Sequence, residues 1–379
     1  MQIERLSDDL HVKAALERLG VESGGVSILA SKMARHTFYI RALHVGAANI
    51  LKQDALSIGA DLAVPKGTVL AKEKTVDAIL IATSKQLQIL SKKELAQPFG
   101  LKELADELGR FLKSHRPRVP KVMGVINAND DSFYAGSRFR GDDALHVMRN
   151  MISEGAQIID LGGVSSRPGS VAVDAAQELE RVRPVIDLAY EYQLYETAAF
   201  SIDSYTPEVV RYALDHGFSI VNDITGLSDD TVCGLCAEYQ ATAVIMHMQG
   251  TPQNMQRDPS YDAVISEVEA FFQTRIAKAK LFGISDLVLD VGIGFGKRLQ
   301  DNIALIAQLR HFLKLGYPLL VGASRKSMID AIAPAPVEER LGGTLALHLK
   351  AVQNGAEIIR VHDVKAHVQA LKVYEALKQ

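Results

Sequence analysis

From residue 121 onward, apolar and polar positions fall into repeating blocks. Eight short apolar runs stand out, at residues 122–126, 157–161, 198–202, 219–221, 242–246, 286–289, 318–321 and 357–361. Between most of them lies enough chain for a loop and a helix. Thr206 and Pro207 supply a helix start, Val209, Val210, Ala213 and Leu214 an apolar face, and Gly217 an end. Leu145, Met148 and Ile152 make a similar face that stops at Gly155. Asp363 is placed to cap a last helix carrying Val364, Val368, Leu371 and Leu377. Continuous apolar strands alternating with amphipathic helices predict a parallel sheet covered on its outside. Eight such units fit a (β/α)8 TIM barrel; a doubly wound open sheet, which needs six or so strands, is the alternative.

Residues 1–113 have a different texture. Short strands are expected near 26–29 and 78–81, and helices at 10–19, 47–56 and 101–112, the last with Leu101, Leu104, Leu108 and Leu112 at helical spacing. This predicts a small α/β N-terminal domain. It has no glycine-rich nucleotide loop, metal-ligand cluster or nucleophile motif, which points to a structural or oligomer-forming role. Residues 114–120, polar and with two prolines, read as a linker, leaving 121–379 for the barrel.

A net charge of -3 gives no reason to expect nucleic acid or an anionic membrane as partner. The first residues lack a secretory pattern, and no run approaches the roughly 18 apolar residues of a membrane span. A cytoplasmic protein is the expectation. Cys233 and Cys236 are spaced C-x-x-C, but with no flanking aromatic and no second pair they read as small helix residues.

The residues closing the runs are polar at every turn: Asn127, Asp160 followed by Ser166 and Arg167, Asp203, Asn222 with Asp223, His247, Asp290, Ser324-Arg325-Lys326, then Arg360 and His362. One alone would be a cap; eight on one rim make a polar cup. Arg167, Arg360 and His362 suit an anion, and Asn127 suits a hard cation bound to it. Asp203, Asn222 and Asp290 offer acceptors to a flat heterocycle, with Lys326 as a donor beside them. The cup therefore predicts a heterocyclic phosphoester or diphosphate as substrate. The run DVGIGFGK (residues 290–297) is not a Walker loop, because Val291 and Arg298 stand where glycine and a hydroxyl are needed. It is expected to let a flat ligand approach the backbone, with Phe295 as a wall.

Taken in order, the motifs MGVINANDDSF (123–133), DLGGVSSRPGS (160–170), SIDSY (201–205), VNDITG (221–226), MHMQGTPQNMQ (246–256), LDVGIGFGK (289–297), VGASRKS (321–327) and RVHDV (360–364) resemble dihydropteroate synthase. The resemblance runs from about residue 122 to 372 and leaves the N-terminal extension outside the common pattern. It implies condensation of 6-hydroxymethyl-7,8-dihydropterin diphosphate with 4-aminobenzoate. By resemblance, Asp203, Asn222, Asp290 and Lys326 hold the pterin, with Met246 and Phe295 lining its pocket. Asn127, Arg167, Arg360 and His362 hold the diphosphate with Mg2+. Ser166, Arg167, Pro168, Phe133 and Ser327 form the aminobenzoate site, which sulfonamides occupy in this family, and a homodimer is implied.

The chain departs from the family pattern in its first loop, Asn127-Ala128-Asn129-Asp130-Asp131-Ser132-Phe133, which lacks the usual proline, and at Ala135, where an acidic residue is common. Asp290-Val291-Gly292 replaces the usual Asp-Pro-Gly. A pterin-site methyltransferase and a non-catalytic homologue are the competing readings. Ser324-Arg325-Lys326 with Arg360 and His362 speaks against methyl transfer, which does not need them.

Overall fold

The computed structural model describes residues 3, 12–116, 118–128, 141–165 and 173–377. The chain divides into two compact units, Met1–Ser114 with Glu375–Gln379, and His115–Tyr374.

The first unit contains α1 (Val12–Arg18), α2 (Ser23–Met33), β1 (Arg35–His44), α3 (Val45–Ser57), β2 (Asp61–Ala63), β3 (Thr75–Thr83), α4 (Ser84–Lys93) and α5 (Leu101–Leu112). The strands form an antiparallel sheet in the order β1-β3-β2. Its core joins Leu43, Leu51, Leu62, Leu80, Leu87, Leu101 and Leu108. Residues 26–29, expected as a strand, lie inside α2. Only Val26 is buried there while Ile28 and Leu29 are exposed, so the run never had the two-sided burial of a core strand. Short apolar runs are ambiguous in this way. The strand role belongs to β1, where His36, Phe38 and Ile40 alternate with more exposed neighbours.

The second unit begins with β4 (Lys121–Asn127), α6 (Gly141–Ser153), β5 (Ile158–Gly162), α7 (Ala175–Glu191), β6 (Ala199–Asp203), α8 (Pro207–Asp215), β7 (Ile220–Asp223) and α9 (Asp230–Glu238). It continues with β8 (Thr242–Met246), α10 (Val264–Leu281), β9 (Leu287–Asp290), α11 (Leu299–Ala307), β10 (Leu319–Val321), α12 (Ser327–Ile332), α13 (Leu341–Gln353), β11 (Ala356–Val361) and α14 (Val364–Leu377). The eight strands β4 to β11 close into a barrel and every pairing is parallel. Each expected run coincides with one strand to within a residue or two. The open-sheet alternative is excluded by closure.

Two of the barrel's hydrophobic clusters among the described residues position the site. The larger lies between strands and helices and includes Ile159, Phe200, Val221, Ile245, Phe272 and Phe312. Cys233 and Cys236 belong to it as buried free thiols on α9. The smaller is a plug inside the barrel, made by Met123, Ile158, Ala199, Ile220, Val244, Val288, Leu320 and Ile358. It takes one residue from every strand. Because side chains alternate along a strand, the positions two residues onward face the same interior, one layer nearer the C-terminal rim.

Two helix starts differ in detail from expectation. Pro207 does open α8, but the Thr206 hydroxyl donates to Glu178 at 2.5 Å instead of capping the helix. The Asp363 carboxylate is taken by Arg325 (2.7 Å), and its backbone carbonyl accepts from His367 N–H.

Candidate active site

One layer above the plug, the interior positions are Val125, Asp160, Ser201, Asn222, Met246, Asp290, Gly322 and Arg360. The apolar floor and the polar cup are thus successive inward positions of the same strands. Asp203 pairs in register with Asn222, and Asp290 with Met246. The residues expected to hold a heterocycle are brought together.

Arg360 crosses this layer. Its Nε donates to Asp160 Oδ2 at 2.5 Å and one terminal nitrogen to Asp203 Oδ2 at 2.6 Å. Asp160 also accepts from Asn222 Nδ2 at 3.2 Å. A carboxylate only accepts, so this bond fixes the amide orientation and turns Asn222 Oδ1 away from Asp160, available as an acceptor. Burial alone would lower the pKa of the Arg360 guanidinium. Asp160 and Asp203 outweigh that, and the net shift is upward. Burial pushes Asp203 up to about 7, opposed by Arg360 and assisted by Asp160 and Glu178. Burial also raises Asp290, against the pull of the Gly292 N–H it accepts at 2.8 Å and of Lys326.

Lys326 lies beyond β10, with its Nζ 4.1 Å from the centroid of the Phe295 ring. Phe295 packs with Ile224, Met246, Met255 and Met248 as an apolar wall. The glycine-rich run has a different logic from that expected. A Cβ at Gly292 would stand 2.0 Å from the His247 carbonyl oxygen, and one at Gly296 2.4 Å from that of Gln249. Both glycines have positive φ, so they serve the close packing of the β8 and β9 loops, not the approach of a ligand. Gly294 is the one that faces the site, against Lys326. Lys297 ties the two loops, donating to the carbonyls of His247 (3.1 Å), Gly292 (2.9 Å) and Phe295 (2.9 Å). Burial lowers its pKa to about 7.

At the β10–β11 side, Ser324 Oγ lies 2.8 Å from His362 Nδ1 and accepts from its backbone N–H at 3.3 Å. Burial and the neighbouring Arg360, Arg325 and Lys326 cations push His362 down, to about 4. The ring remains partly open to solvent. Burial and its cationic surroundings favour a neutral imidazole at neutral pH, which serves as a hydrogen-bonding group and not as a further positive charge. Arg325 is not in the cup. It forms a bidentate salt bridge with Asp363, which takes it out of the cup that its position after β10 suggested.

Other strand-end residues have local duties. The Asp223 carboxylate accepts from Thr225 N–H and hydroxyl and from Leu227 N–H, closing the β7 turn. His247 is buried, and burial lowers it to about 3. Ser327 is exposed at the start of α12. Phe133, Ser166, Arg167, Pro168 and the departure at Ala135 lie outside the described residues. Asn127 is half-buried at the end of β4. Among the described residues no group of three or more His, Cys, Asp or Glu side chains could hold a metal. This donor set does not make a closed protein cage, but one amide oxygen fits a hard cation that arrives on a phosphate ligand.

The sequence placed Asp160 in the cup without a partner or a duty, and gave no role to Lys297. The need of Asp160 for a partner could have been read from its place inside the apolar run IIDLG, since an unpaired charge there is costly. Lys297 offered no comparable signal, because lysine after a glycine-rich turn is ordinary on a surface.

Residues 123–362 match the family model described as pterin binding enzyme. A relative from Helicobacter pylori, named bifunctional dihydropteroate synthase/dihydropteroate reductase, is 41% identical over 379 residues, covering all of both chains. Dihydropteroate synthase from Escherichia coli is 43% identical over 261 residues, 68% of this chain and 91% of the relative. The crystal structure of dihydropteroate synthase from Thermus thermophilus with 4-aminobenzoate superposes with a TM-score of 0.62 at 38% identity, over 69% of this chain and 95% of that one. Among the described residues no helix is long and apolar enough to cross a membrane. The chain belongs to the pterin-binding enzyme family and, within it, to the dihydropteroate synthases, transferases of folate biosynthesis.

Proposed function

We propose that the barrel rim joins the pterin diphosphate to 4-aminobenzoate by ionisation before attack. The observation that carries this is the Arg360 guanidinium held between Asp160 and Asp203 at the centre of the cup. Asp203, Asn222 Oδ1 and Asp290 accept the ring N–H and amino donors of the pterin, and Lys326 donates to a ring acceptor. Met246 and Phe295 cover its faces. Arg360 keeps further N–H donors beyond the two engaged by carboxylates, since a guanidinium has five, and turns them to the diphosphate. His362 and Arg167 add donors there. Asn127 would contribute an oxygen to Mg2+ held with the diphosphate, and that cation would offset charge on the leaving group.

The bond that breaks joins the pterin methylene to the diphosphate oxygen; the bond that forms joins the methylene to the arylamine nitrogen. The cation left on the methylene is delocalised into the pterin, and Asp203 and Asp290 face it with negative charge to the extent that they are ionised. The arylamine is weakly nucleophilic, which favours this order. Its nitrogen becomes acidic as it bonds, so its proton passes to diphosphate or water without a strong base. Ser166, Arg167, Pro168, Phe133 and Ser327 receive the aminobenzoate. The assembly we infer is a cytoplasmic homodimer.

A second activity is proposed because the Helicobacter relative spans this chain from end to end, N-terminal unit included, and its name carries a reductase. Reduction of dihydropteroate takes a hydride and a proton, and the ordinary biological donors are reduced nicotinamide and reduced flavin.

Three outcomes are expected. Purified protein with pterin diphosphate, 4-aminobenzoate and Mg2+ releases pyrophosphate, and omission of 4-aminobenzoate or chelation of Mg2+ stops turnover. Release indifferent to 4-aminobenzoate contradicts the synthase reading. The second outcome concerns pH. Asp203 must be ionised to accept from the pterin, and with a pKa of about 7 it takes up a proton as pH falls. kcat/KM for the pterin diphosphate should therefore fall from pH 8 to pH 6. Asp203→Asn should lower the plateau by about 100-fold, the scale of one lost electrostatic contact, and remove that limb; an unchanged limb would reassign it. Third, incubation with 7,8-dihydropteroate and reduced nicotinamide or reduced flavin should yield tetrahydropteroate by chromatography. Absence of product with both donors contradicts the second activity.

A further inference from the structure

Behind the loop that carries Ser324 and Lys326 lie two buried histidines that the proposed mechanism does not use. His348 is on α13 and His367 on α14, each 1% exposed. His348 Nε2 is 3.0 Å from the backbone nitrogen of Ala323. His348 Nδ1 is 2.9 Å from His367 Nε2, and His367 Nδ1 is 2.7 Å from the carbonyl oxygen of Asp363. The chain of bonds has one consistent proton assignment. A backbone N–H can only donate, so His348 Nε2 carries no proton. Neutral His348 is then protonated on Nδ1 and donates to His367 Nε2. His367 is in turn protonated on Nδ1 and donates to Asp363. The wire starts one residue before Ser324 and ends one residue after His362.

A second side chain of α13 acts in parallel. Thr344 lies one turn before His348 on the same helix face, and its Oγ1 accepts from Arg325 N–H at 3.0 Å. Arg325 has φ +56, a conformation that a non-glycine residue adopts only when its surroundings hold it. The acceptors on α13 therefore secure both amides flanking Ser324, and the Arg325–Asp363 salt bridge closes the same two loops from the other side.

We propose that His348 and His367 are positioning residues: they set the β10 loop in register with the β11 loop, so that Lys326 and His362 are presented to one substrate in fixed relation. This rests on the synthase reading. Neither histidine touches the cup, and their effect passes through Ala323 and Asp363. The device works only with both rings neutral, because a proton added at His348 Nε2 would face the Ala323 N–H. Burial favours the neutral state of both rings, and the neighbouring His367 adds to this at His348.

Two isosteric variants separate positioning from packing. His348→Gln places its amide end where Nε2 stands and keeps an acceptor for Ala323. His348→Asn reaches only to the Nδ1 position and leaves that amide without its acceptor. Both should melt within a few degrees of each other. The Asn variant should lose about 10- to 100-fold in kcat/KM for the pterin diphosphate, the scale of a misplacement near 1 Å, while the Gln variant, which keeps the Ala323 acceptor but gives up the Nδ1–H bond to His367, should lose less than the Asn variant but more than about threefold. Equal kcat/KM in the two variants, or a loss that follows Tm, overturns the proposal. Nitrogen-15 spectra of the unsubstituted protein test it independently of turnover. Protons on Nδ1 of both rings support the wire, and a proton on His348 Nε2 overturns it. If the unsubstituted chain shows no synthase activity, the functional reading fails, and the spectra still decide whether the two loops are joined in this way.

Discussion

The Arg360 guanidinium between Asp160 and Asp203 is the interaction on which the rest of the site depends. It sits at the centre of the barrel, directly above an apolar plug, where an unpaired charge would be expensive. Removing one partner from a buried pair typically costs about 3–5 kcal/mol, because the other charge is left without compensation. Here the cost is shared among three strands. β5 brings Asp160, β6 brings Asp203 and β11 brings Arg360, so closing the ion cluster and closing the barrel are mutually supportive. The same cluster sets the orientation of Asn222 through Asp160.

Period-two geometry explains why site and fold cannot be separated. Met123, Ile158, Ile220, Val244, Val288, Leu320 and Ile358 floor the cup, and two residues onward each strand delivers its contribution to the layer above. A slip of one residue in any strand would exchange a core side chain for a site side chain. The loops above the rim are then fixed by specific polar ties. Lys297 joins the loops after β8 and β9, and the Ser324–His362 and Arg325–Asp363 pairs join those after β10 and β11. The rim is thus preorganised in pairs of adjacent loops, which suits a reaction that depends on placed charge.

Much of this was legible in the sequence. The eight runs gave the strands because parallel barrel strands are buried on both faces and read as continuous apolar segments. The polar residues closing them gave the cup. What the sequence did not reveal is which polar residues bond to one another. Arg360 was expected at the diphosphate and Asp203 at the pterin, and nothing along the chain indicates that they meet across 157 residues. Gly292 and Gly296 read as ligand-facing, yet their space is filled by backbone carbonyls of the neighbouring loop. In the N-terminal unit, residues 26–29 failed because a four-residue apolar run carries too little periodicity to distinguish helix from strand. His348 and Thr344 were silent for a related reason: polar residues one turn apart on an apolar helix announce an inward bond only when the partner loop is known.

Asp160 is the most direct point at which to test the central cluster, since it holds both Arg360 and Asn222 while lying fully buried beneath them. Asp160→Asn preserves its size and removes its charge. The measurement is kcat/KM for the pterin diphosphate, taken beside the KM for 4-aminobenzoate on the same preparation. The first should fall by about 100-fold or more, with the second changed by less than about threefold. Retention of kcat/KM within threefold, in a protein that melts normally, would contradict the claim that this ion cluster organises the site.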